Sequence, residues 1–483
     1  PLRELPPAQQ AERIARWWDE LEPAGRFLLT KLIGGGFRVG VSRLLVQRAL
    51  AEHAGLDAKV VAQRMMGFTD KAARPDAAAY RALIAPEDAA AAPPLAGQPY
   101  PFFLAHALDA PPEAFEGRLG APADWLVEWK YDGIRAQVVR RAGQAWIWSR
   151  GEELVTERFP EVAALAQALP DGTVLDGEIL VWKDGRPAPF ALLQQRIGRK
   201  QLTRKVLAEA PAGFIAYDVL ERDGEDIRAW PQWRRREALV DLANLVGWAK
   251  RSVPTVEAAP VGTLRFAHPT EEADAPPFLL SPTVDAPTWA ALATLRAESR
   301  ERGVEGFMLK HREARYGTGR TKAEGTWWKW KIDPLSVDCL LVYAQAGHGR
   351  RASVYTDYTF AVWSRAPRDA AEAQSVLAAA GAREPPSPDA LQLVPFAKAY
   401  SGLTDEEFRE VDRVIRQTTI EKFGPVRSVR PTLVFELGFE GIARSARHRS
   451  GIAVRFPRML RIRRDKPLHE ADTLQMLEAM LRG

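Results

Sequence analysis

The chain has 483 residues, of which 46% are hydrophobic and 27% are charged, a composition typical of globular domains. It has no apolar run of about 18 residues, so a membrane-spanning helix is not expected. A single cysteine excludes internal disulfides and a multi-cysteine zinc site. The net charge of +5 is small, so the positions of basic clusters are more informative than their sum.

The first 84 residues carry a helical pattern. Apolar residues recur at spacings of three and four over 11–18 and 41–50. Between these stretches lies the glycine-rich segment 34–40, which contains Gly35 and Arg38. It is either a flexible connector or a backbone surface that approaches phosphates, and the local sequence favours neither. Residues 85–99 are rich in Ala and Pro, which predicts a linker.

Strand and helix patterns alternate over 100–332, which predicts an α+β domain with antiparallel sheets. The predicted strands are 126–130, 134–140, 145–149, 173–181, 213–219, 304–310 and 326–332, and the predicted helices are 159–169, 233–249 and 287–301. From about residue 333, short β runs predict a small barrel. One helix interrupts them, and Thr404 with Glu407 gives it a capping box.

Lys130 follows the apolar run 125–129 and precedes the turn signal Asp132-Gly133. A lysine at a strand end is usually a solvated edge charge. Burial among apolar side chains would instead disfavour its ammonium form and leave the amine available as a nucleophile. The motif is weak by itself, and its interpretation depends on the segments that follow.

Further charged residues interrupt later strands, where they need partners or a chemical task. Salt-bridged pairs would explain any single one. Together they form a mixed-sign set that suits a triphosphate and its divalent metal. Lys329 and Lys331 alternate with tryptophans, which predicts that both ammonium groups point to one face of a strand. The set comprises Lys130, Arg150, Glu178, Glu305, Lys329 and Lys331.

The C-terminal part carries a dense basic segment. Asp465 is its only acid, against nine basic residues: Arg444, Arg447, Arg449, Arg455, Arg458, Arg461, Arg463, Arg464 and Lys466. A charge run is often a solvated rim. It is also the expected footprint for a nucleic-acid backbone, and Arg449 and Arg455 are candidate contacts.

The motifs and their order resemble those of ATP-dependent DNA ligases, within the covalent nucleotidyltransferases. The resemblance covers nearly the whole chain. It is carried by Glu-Trp-Lys-Tyr-Asp-Gly-Ile-Arg at 128–135, Asp-Gly-Glu at 176–178, Glu-Gly at 305–306, Lys-Trp-Lys at 329–331 and the basic segment 461–466.

The resemblance implies a role for each matching residue. Lys130 would attack the α-phosphate of ATP and carry AMP. Glu128 would recognise the adenine edge and Tyr217 would stack on its face. Other residues would contact the ribose, the phosphates or the metal: Arg135, Arg150, Glu178, Glu305, Lys329 and Lys331. Arg461, Arg463, Asp465 and Lys466 would close over pyrophosphate.

The implied fold has three domains: a helical DNA-binding domain with its linker (1–99), an adenylation domain (100–332) and an OB-fold barrel (333–483). The implied reagents are ATP, Mg²⁺ or Mn²⁺, and nicked duplex DNA. Gly35 and Arg38 would form a second contact with the DNA backbone, in addition to that of the C-terminal basic segment. We expect a monomer without a membrane partner, located in the cytoplasm and associated with the nucleoid if the source is bacterial.

Two enzyme alternatives stay open, an RNA ligase and an mRNA-capping guanylyltransferase, because both share the lysine motif and the barrel. The helical N-terminal block and the basic segment 461–466 speak against them. An NAD⁺-dependent ligase is disfavoured because one cysteine cannot build its zinc module. A DNA-binding adaptor with a decayed site is disfavoured because Lys130, Glu305 and Lys329 are all present.

Overall fold

The structure, a computed structural model, describes residues 5–33, 41–66, 76–86, 96–197, 199, 202–246, 278–347, 354–379 and 390–481. The chain divides into two compact units, Pro1–Ile332 and Asp333–Gly483. No helix among the described residues is both long and apolar enough to cross a bilayer.

The described part of the first 84 residues is helical. It contains α1 (Pro7–Glu20), α2 (Pro23–Ile33), α3 (Arg43–Ala54), α4 (Ala58–Arg64) and α5 (Ala77–Ile84). The last three helices begin after Ser42, Asp57 and Asp76, whose side chains accept hydrogen bonds from first-turn N–H groups. A small core joins α3 to α5 and includes Val61 and Leu83. The assignment of these helices as a DNA-binding domain stays a prediction.

The rest of the first unit combines helices with two sheets. Its strands are β1 (His106–Ala107), β2 (Trp125–Tyr131), β3 (Ile134–Arg141), β4 (Gln144–Ser149), β5 (Thr173–Lys183), β6 (Arg186–Pro187), β7 (Ala212–Arg222), β8 (Glu225–Asp226), β9 (Phe278–Leu280), β10 (Val304–His311) and β11 (Trp327–Lys331). Its helices are α6 (Phe115–Leu119), α7 (Pro160–Ala166), α8 (Phe190–Ile197), α9 (Arg204–Glu209), α10 (Gln232–Leu245) and α11 (Trp289–Ala297).

One sheet has four strands in the order β1-β11-β10-β2, and the other has seven, ordered β4-β3-β5-β7-β8 with β6 beside β5 and β9 beside β7. The predicted antiparallel pairing is confirmed for the long strands. The short pairs β1–β11 and β7–β9 are parallel. An apolar cluster that includes Val139 of β3 and Trp327 of β11 connects the two sheets.

All seven predicted strands are present. The helices predicted over 159–169 and 287–301 are shorter in the structure, and the one predicted over 233–249 covers Gln232–Leu245, with 247–249 outside the described residues. The helix predicted over 287–301 covers Trp289–Ala297, because Thr288 caps it through the N–H of Ala291. The helix predicted over 159–169 starts at Pro160, whose fixed φ and missing N–H suit the first helical position. The periodicity of apolar residues does not show where a helix begins, whereas a capping residue or a proline at the first position does.

The second unit is mainly β. Its strands are β12 (Leu335–Ala346), β13 (Tyr355–Trp363), β14 (Leu393–Ala399), β15 (Thr419–Phe423), β16 (Val426–Val429), β17 (Val434–Phe439), β18 (Gly441–Arg444), β19 (Ile452–Arg455) and β20 (Arg458–Arg463). Its helices are α12 (Ala370–Ala378), α13 (Asp405–Thr418) and α14 (Leu474–Met480).

The long strand β12 pairs with β13, β16 and β17, and β17 also pairs with β20. A separate hairpin joins β18 to β19. The predicted capping box at Thr404 and Glu407 is confirmed at the start of α13. The pairing is antiparallel throughout the described strands of this unit, and the OB-fold assignment stays a prediction.

Candidate active site

Lys130 lies near the end of β2, and β3 begins four residues later. The turn between them packs tightly against β5, because a Cβ on Gly133 would collide with the carbonyl oxygen of Ile179. Lys130 Nζ donates a hydrogen bond to Glu305 Oε2 at 2.5 Å. The ammonium therefore lies against a carboxylate, and the expectation of purely apolar surroundings is wrong.

Glu305 on β10 serves two lysines, since the same oxygen lies 3.3 Å from Lys331 Nζ. Burial by itself would raise the pKa of the Glu305 carboxyl. The nearby ammonium groups of Lys130 and Lys331 outweigh that effect and lower its pKa below the ordinary value. Glu305 is thus held in its anionic form next to the candidate nucleophile.

Lys329 and Lys331 lie on the same face of β11, as predicted. The intervening Trp330 is buried on the opposite face, in a cluster that includes Phe307 of β10. Burial lowers the pKa of Lys329, and the positive charges of Lys331, Arg320, Lys130 and Arg150 lower it further. This mutual repulsion shows that several cations converge on one region.

Glu178 on β5 is half-buried and lies in register with Arg135 on β3. Burial raises the pKa of Glu178 to about 7, although the positive charges of Lys130 and Arg135 oppose the rise. Asp176 and Glu305 add negative charge that supports it. The carboxyl group is therefore poised to exchange a proton near neutral pH or to accept a cation.

Arg135 has a different environment from the ribose contact that the resemblance implies. Its guanidinium donates to both oxygens of Asp176 at 3.1 and 2.6 Å, and to the carbonyl of Phe103 at 2.6 Å. Tyr316 also donates its hydroxyl to Asp176 at 2.6 Å. Arg135 therefore ties β3 to β5 and to the segment before β1, while its contact with a ribose stays a prediction.

Glu128 is 1% exposed and lies between two cations. Its Oε2 is 2.6 Å from Lys310 Nζ, and its Oε1 accepts a hydrogen bond from Arg236 Nη1 at 3.2 Å. Sequence reasoning missed both partners. Lys310 could have been found, because it is a charged residue at the end of the apolar strand 304–310 and so needs a partner. Arg236 lies among three consecutive arginines on α10, and nothing in the local sequence distinguishes it from them.

Tyr217 on β7 lies close to this group. Lys310 donates to the carbonyl of Tyr217 at 2.9 Å, and its ammonium lies 4.5 Å from the centre of the Tyr217 ring. Burial raises the pKa of the Tyr217 phenol well above its ordinary value, so the ring is neutral. The structure thus brings together the two residues predicted to contact adenine, Glu128 and Tyr217.

The predicted DNA contacts are placed only in part. Gly35 and Arg38 lie outside the described residues. Arg150, which was predicted for the nucleotide site and not for DNA, is exposed and follows β4, with its backbone N–H bound to the carbonyl of Arg135. In the second unit Arg449 is exposed, and the Arg455 guanidinium lies 4.9 Å from the centre of the Phe456 ring.

The four residues predicted to close over pyrophosphate lie on β20 and just after it, and their side chains have acidic or basic partners within the second unit. Arg461 Nε donates to Glu436 at 2.6 Å. Arg463 and Lys466 share one oxygen of Asp338, at 2.9 and 2.7 Å. Hydrogen bonds from Arg463 hold the pKa of Asp465 at about 2.

Comparison with known protein families identifies the family to which this chain belongs. The model for the ATP dependent DNA ligase domain matches residues 102–331, and that for the ATP dependent DNA ligase C terminal region matches residues 374–466. A probable DNA ligase of Koribacter versatilis is 34% identical over 95% of this chain and 72% of its own length. The chain belongs to the ATP-dependent DNA ligase family.

Other relatives of this ligase-family chain differ in length. A probable DNA ligase of Opitutus terrae is also 34% identical over 92% of this chain, but this chain spans only 44% of that protein. The solved structure named Pmar-Lig_Pre has a TM-score of 0.50 at 16% identity, covering 75% of this chain and 67% of its own. The latter likeness concerns the fold alone.

ATP-dependent DNA ligases use ATP and a divalent metal ion. Among the residues the structure describes, no three or more His, Cys, Asp or Glu side chains cluster as a metal site. Mg²⁺ commonly binds through one or two carboxylates, with phosphate oxygens and water completing its shell. Glu178 and Glu305 fit that pattern, because they lie close enough for the charge of Glu305 to add to the effect of burial, which is the main cause of the raised pKa of Glu178.

Proposed function

We propose that this protein seals nicks between a 3′-hydroxyl and a 5′-phosphate in duplex DNA, with ATP as the activating nucleotide and Lys130 as the residue that carries AMP. The observation that carries the proposal is the Lys130–Glu305 hydrogen bond of 2.5 Å. It places the candidate nucleophile beside a carboxylate and among converging cations, in a chain of the ligase family.

The first step requires Lys130 to leave its ion pair and lose a proton, because only the free amine is a nucleophile. Its nitrogen then bonds to the α-phosphorus of ATP as the bond to pyrophosphate breaks. Lys329 and Lys331, which share one strand face, stabilise the negative charge on the phosphate oxygens. A bound divalent cation would neutralise part of that charge, with Glu178 and Glu305 as its protein ligands.

The next two steps use the stored AMP. The 5′-phosphate of the nick attacks the phosphoramidate, which frees Lys130 and joins AMP to the DNA end. The 3′-hydroxyl then attacks that 5′-phosphorus, and AMP leaves as the phosphodiester forms. Dividing the reaction in this way replaces one difficult displacement with easier ones.

Nucleotide selection is proposed for Glu128 and Tyr217, which lie together beside Lys310. Facing the 6-position of the purine, the carboxylate accepts a hydrogen bond from the exocyclic amine of adenine, whereas at that position it would oppose the carbonyl oxygen of guanine. This arrangement favours ATP over GTP. It therefore speaks for a ligase over a capping guanylyltransferase.

We also propose the finer domain assignment: a helical DNA-binding domain with its linker over 1–99, an OB-fold over 333–483 and a monomeric enzyme. Arg461, Arg463, Asp465 and Lys466 would act on pyrophosphate, and Arg449 and Arg455 on the DNA backbone. The density of basic residues over 444–466 supports both roles. A cytoplasmic location fits a chain whose one cysteine, Cys339, is free and buried.

Labelling with α-³²P-ATP, α-³²P-GTP and labelled NAD⁺ tests the proposal. Wild-type protein should form a covalent adduct with ATP far more efficiently than with GTP or NAD⁺, and Lys130→Ala should form none. Lys130→Ala should still seal a nick whose 5′-phosphate is already adenylylated, because the amine acts only in the earlier steps. A GTP-only adduct would overturn the ligase assignment, and a labelled Lys130→Ala protein would overturn the role of Lys130.

A further inference from the structure

Arg236 lies outside the motifs that the sequence analysis singled out, yet it contacts the residue proposed to recognise adenine. It projects from α10 and its side chain is 12% exposed. One terminal nitrogen, Nη1, donates to Glu128 Oε1 at 3.2 Å, and the other, Nη2, donates to the carbonyl of Ser281 at 2.7 Å. The planar guanidinium presents its N–H donors in a rigid fork, so it holds these two acceptors in fixed directions.

The second acceptor, Ser281, lies where the chain crosses from one sheet to the other. Strand β9 pairs with β7, and the N–H of Ser281 continues that pairing by donating to Ala216. Two residues later, Thr283 forms a bridge with Glu128 of the four-stranded sheet. Arg236 therefore fastens the side chain of Glu128 to the segment whose backbone also pairs with Glu128.

The same segment is fixed relative to the ring proposed to stack on the base. Ala216, which holds Ser281, directly precedes Tyr217 on β7. Lys310 links Glu128 to Tyr217 directly, since it contacts Glu128 Oε2 and the carbonyl of Tyr217. The carboxylate is thus held from two directions, by Lys310 on one oxygen and by Arg236 on the other.

We propose that Arg236 is a positioning residue for nucleobase selection: it aims the Glu128 carboxylate at the base and so gives the enzyme its preference for ATP over GTP. This inference rests on the proposed function. A carboxylate oxygen has two lone-pair directions, so each can accept a hydrogen bond from the base while a cation holds the other direction. Without Arg236, Oε1 loses its fixed direction and rotates toward Lys310.

We expect the loss of Arg236 to weaken discrimination between ATP and GTP more than it slows the transfer of AMP. Arg236→Met should raise the KM for ATP in adduct formation by about tenfold and reduce the ratio of kcat/KM between ATP and GTP by about tenfold. Sealing of a nick that is already adenylylated should stay within about twofold of wild type, because Glu128 then has no free nucleotide to select.

Three further variants make the test specific. Arg234→Met is the matched control on the same helix, because Arg234 is exposed and its guanidinium lies over Trp230; it should leave the ATP to GTP ratio unchanged. Arg236→Lys keeps the charge and should give an intermediate ratio, and it provides the readout if Arg236→Met does not fold. Glu128→Gln combined with Arg236→Met should lose little more discrimination than either change alone, since both remove one interaction.

A purely structural Arg236 would lower the melting temperature and depress adduct formation and sealing together, with the ATP to GTP ratio unaltered; that result would overturn the inference. Additive effects in the double variant would do the same. The failure of the proposed function looks different, because the wild-type protein itself would then form no adduct with ATP.

Discussion

Lys130 and Glu305 form a hydrogen-bonded ion pair at 2.5 Å although 175 positions separate them in the chain. The pair exists because β2 and β10 are antiparallel neighbours in the four-stranded sheet. Near the end of this pairing the register shifts between Val304 and Phe307, beside Glu305. The sheet therefore sets the distance between the candidate nucleophile and its carboxylate.

The first prediction concerns this carboxylate. Glu305→Ala should reduce adduct formation from ATP by at least about 100-fold, because it removes a proposed metal ligand and leaves the ammonium groups of Lys130 and Lys331 without their shared counter-charge. The rate of labelling with α-³²P-ATP measures it. Glu301→Ala, at an exposed acid of the same unit, should label normally. Near-normal labelling of Glu305→Ala would contradict the assignment.

The second prediction is a pH dependence of stability centred on Glu178. Its folded-state pKa of about 7 lies above the ordinary 4.5, so the folded protein binds more protons than the unfolded chain between these values. The free energy of unfolding contributed by this group therefore falls as pH rises through that window. Glu178→Gln removes the titration, so the stability of the variant relative to wild type should increase by about 3 kcal/mol from pH 4.5 to pH 8.

Urea unfolding of both proteins without divalent cations, at each pH, measures this difference. Glu301→Gln should show a stability relative to wild type that does not depend on pH. A Glu178→Gln protein whose stability relative to wild type stays constant across the window would show that the Glu178 carboxyl titrates normally.

The third prediction concerns the glycine of the Asp-Gly-Glu motif. A Cβ on Gly177 would collide with the carbonyl oxygen of Ile215 and the ring of Phe214 on the neighbouring strand. Gly177→Ala should therefore cost about 3 kcal/mol of stability. Gly117→Ala is the matched control, because a Cβ there meets nothing within 4 Å, and it should stabilise α6 slightly. Equal melting temperatures for the two variants would contradict the close packing.

The fourth prediction concerns Asp338 in the second unit, which holds Arg463 and Lys466 through one oxygen. Asp338→Asn removes the charge that fixes both cations. Adduct formation should slow by about tenfold, while sealing of an adenylylated nick should change by less than about twofold, because these cations are proposed to act on pyrophosphate. Glu421→Gln, at an exposed acid of the same unit, should affect neither step. Equal loss in both steps would indicate a structural role only.

The fifth prediction concerns DNA binding. If Arg449 and Arg455 each neutralise a phosphate, replacing both with Ala should weaken nick binding and reduce the slope of log Kd against log salt concentration by about 2. Fluorescence anisotropy at several salt concentrations measures the slope. Arg409→Ala, at a side chain on α13 that donates to a backbone carbonyl one turn earlier, should leave it unchanged. An unaltered slope in the double variant would remove these residues from the DNA contact.

The amino-acid sequence by itself determined the seven longer strands of residues 100–332, the turn after Lys130 and the common face of Lys329 and Lys331, but not the short strands β1, β6, β8 and β9. These features depend on neighbours in the chain: alternation fixes which side chains share a strand face, and Asp-Gly favours a turn wherever it occurs. The order of the charged motifs was also enough to indicate the family and to select Lys130, Glu178 and Glu305 as candidates.

Only the tertiary structure decided which charges meet. Arg236 gave no local signal because its partner Glu128 lies 108 positions away, and Asp338 was missed because Lys466 lies 128 positions away. The pairing of the Arg135 guanidinium with Asp176, 41 positions away, was likewise not visible in the sequence, and its predicted nucleotide contact stays a prediction. Strand register and the packing of one sheet against another set these pairings. The sequence of a strand shows that a charged side chain on it will be buried, but it does not show which distant residue will be its partner.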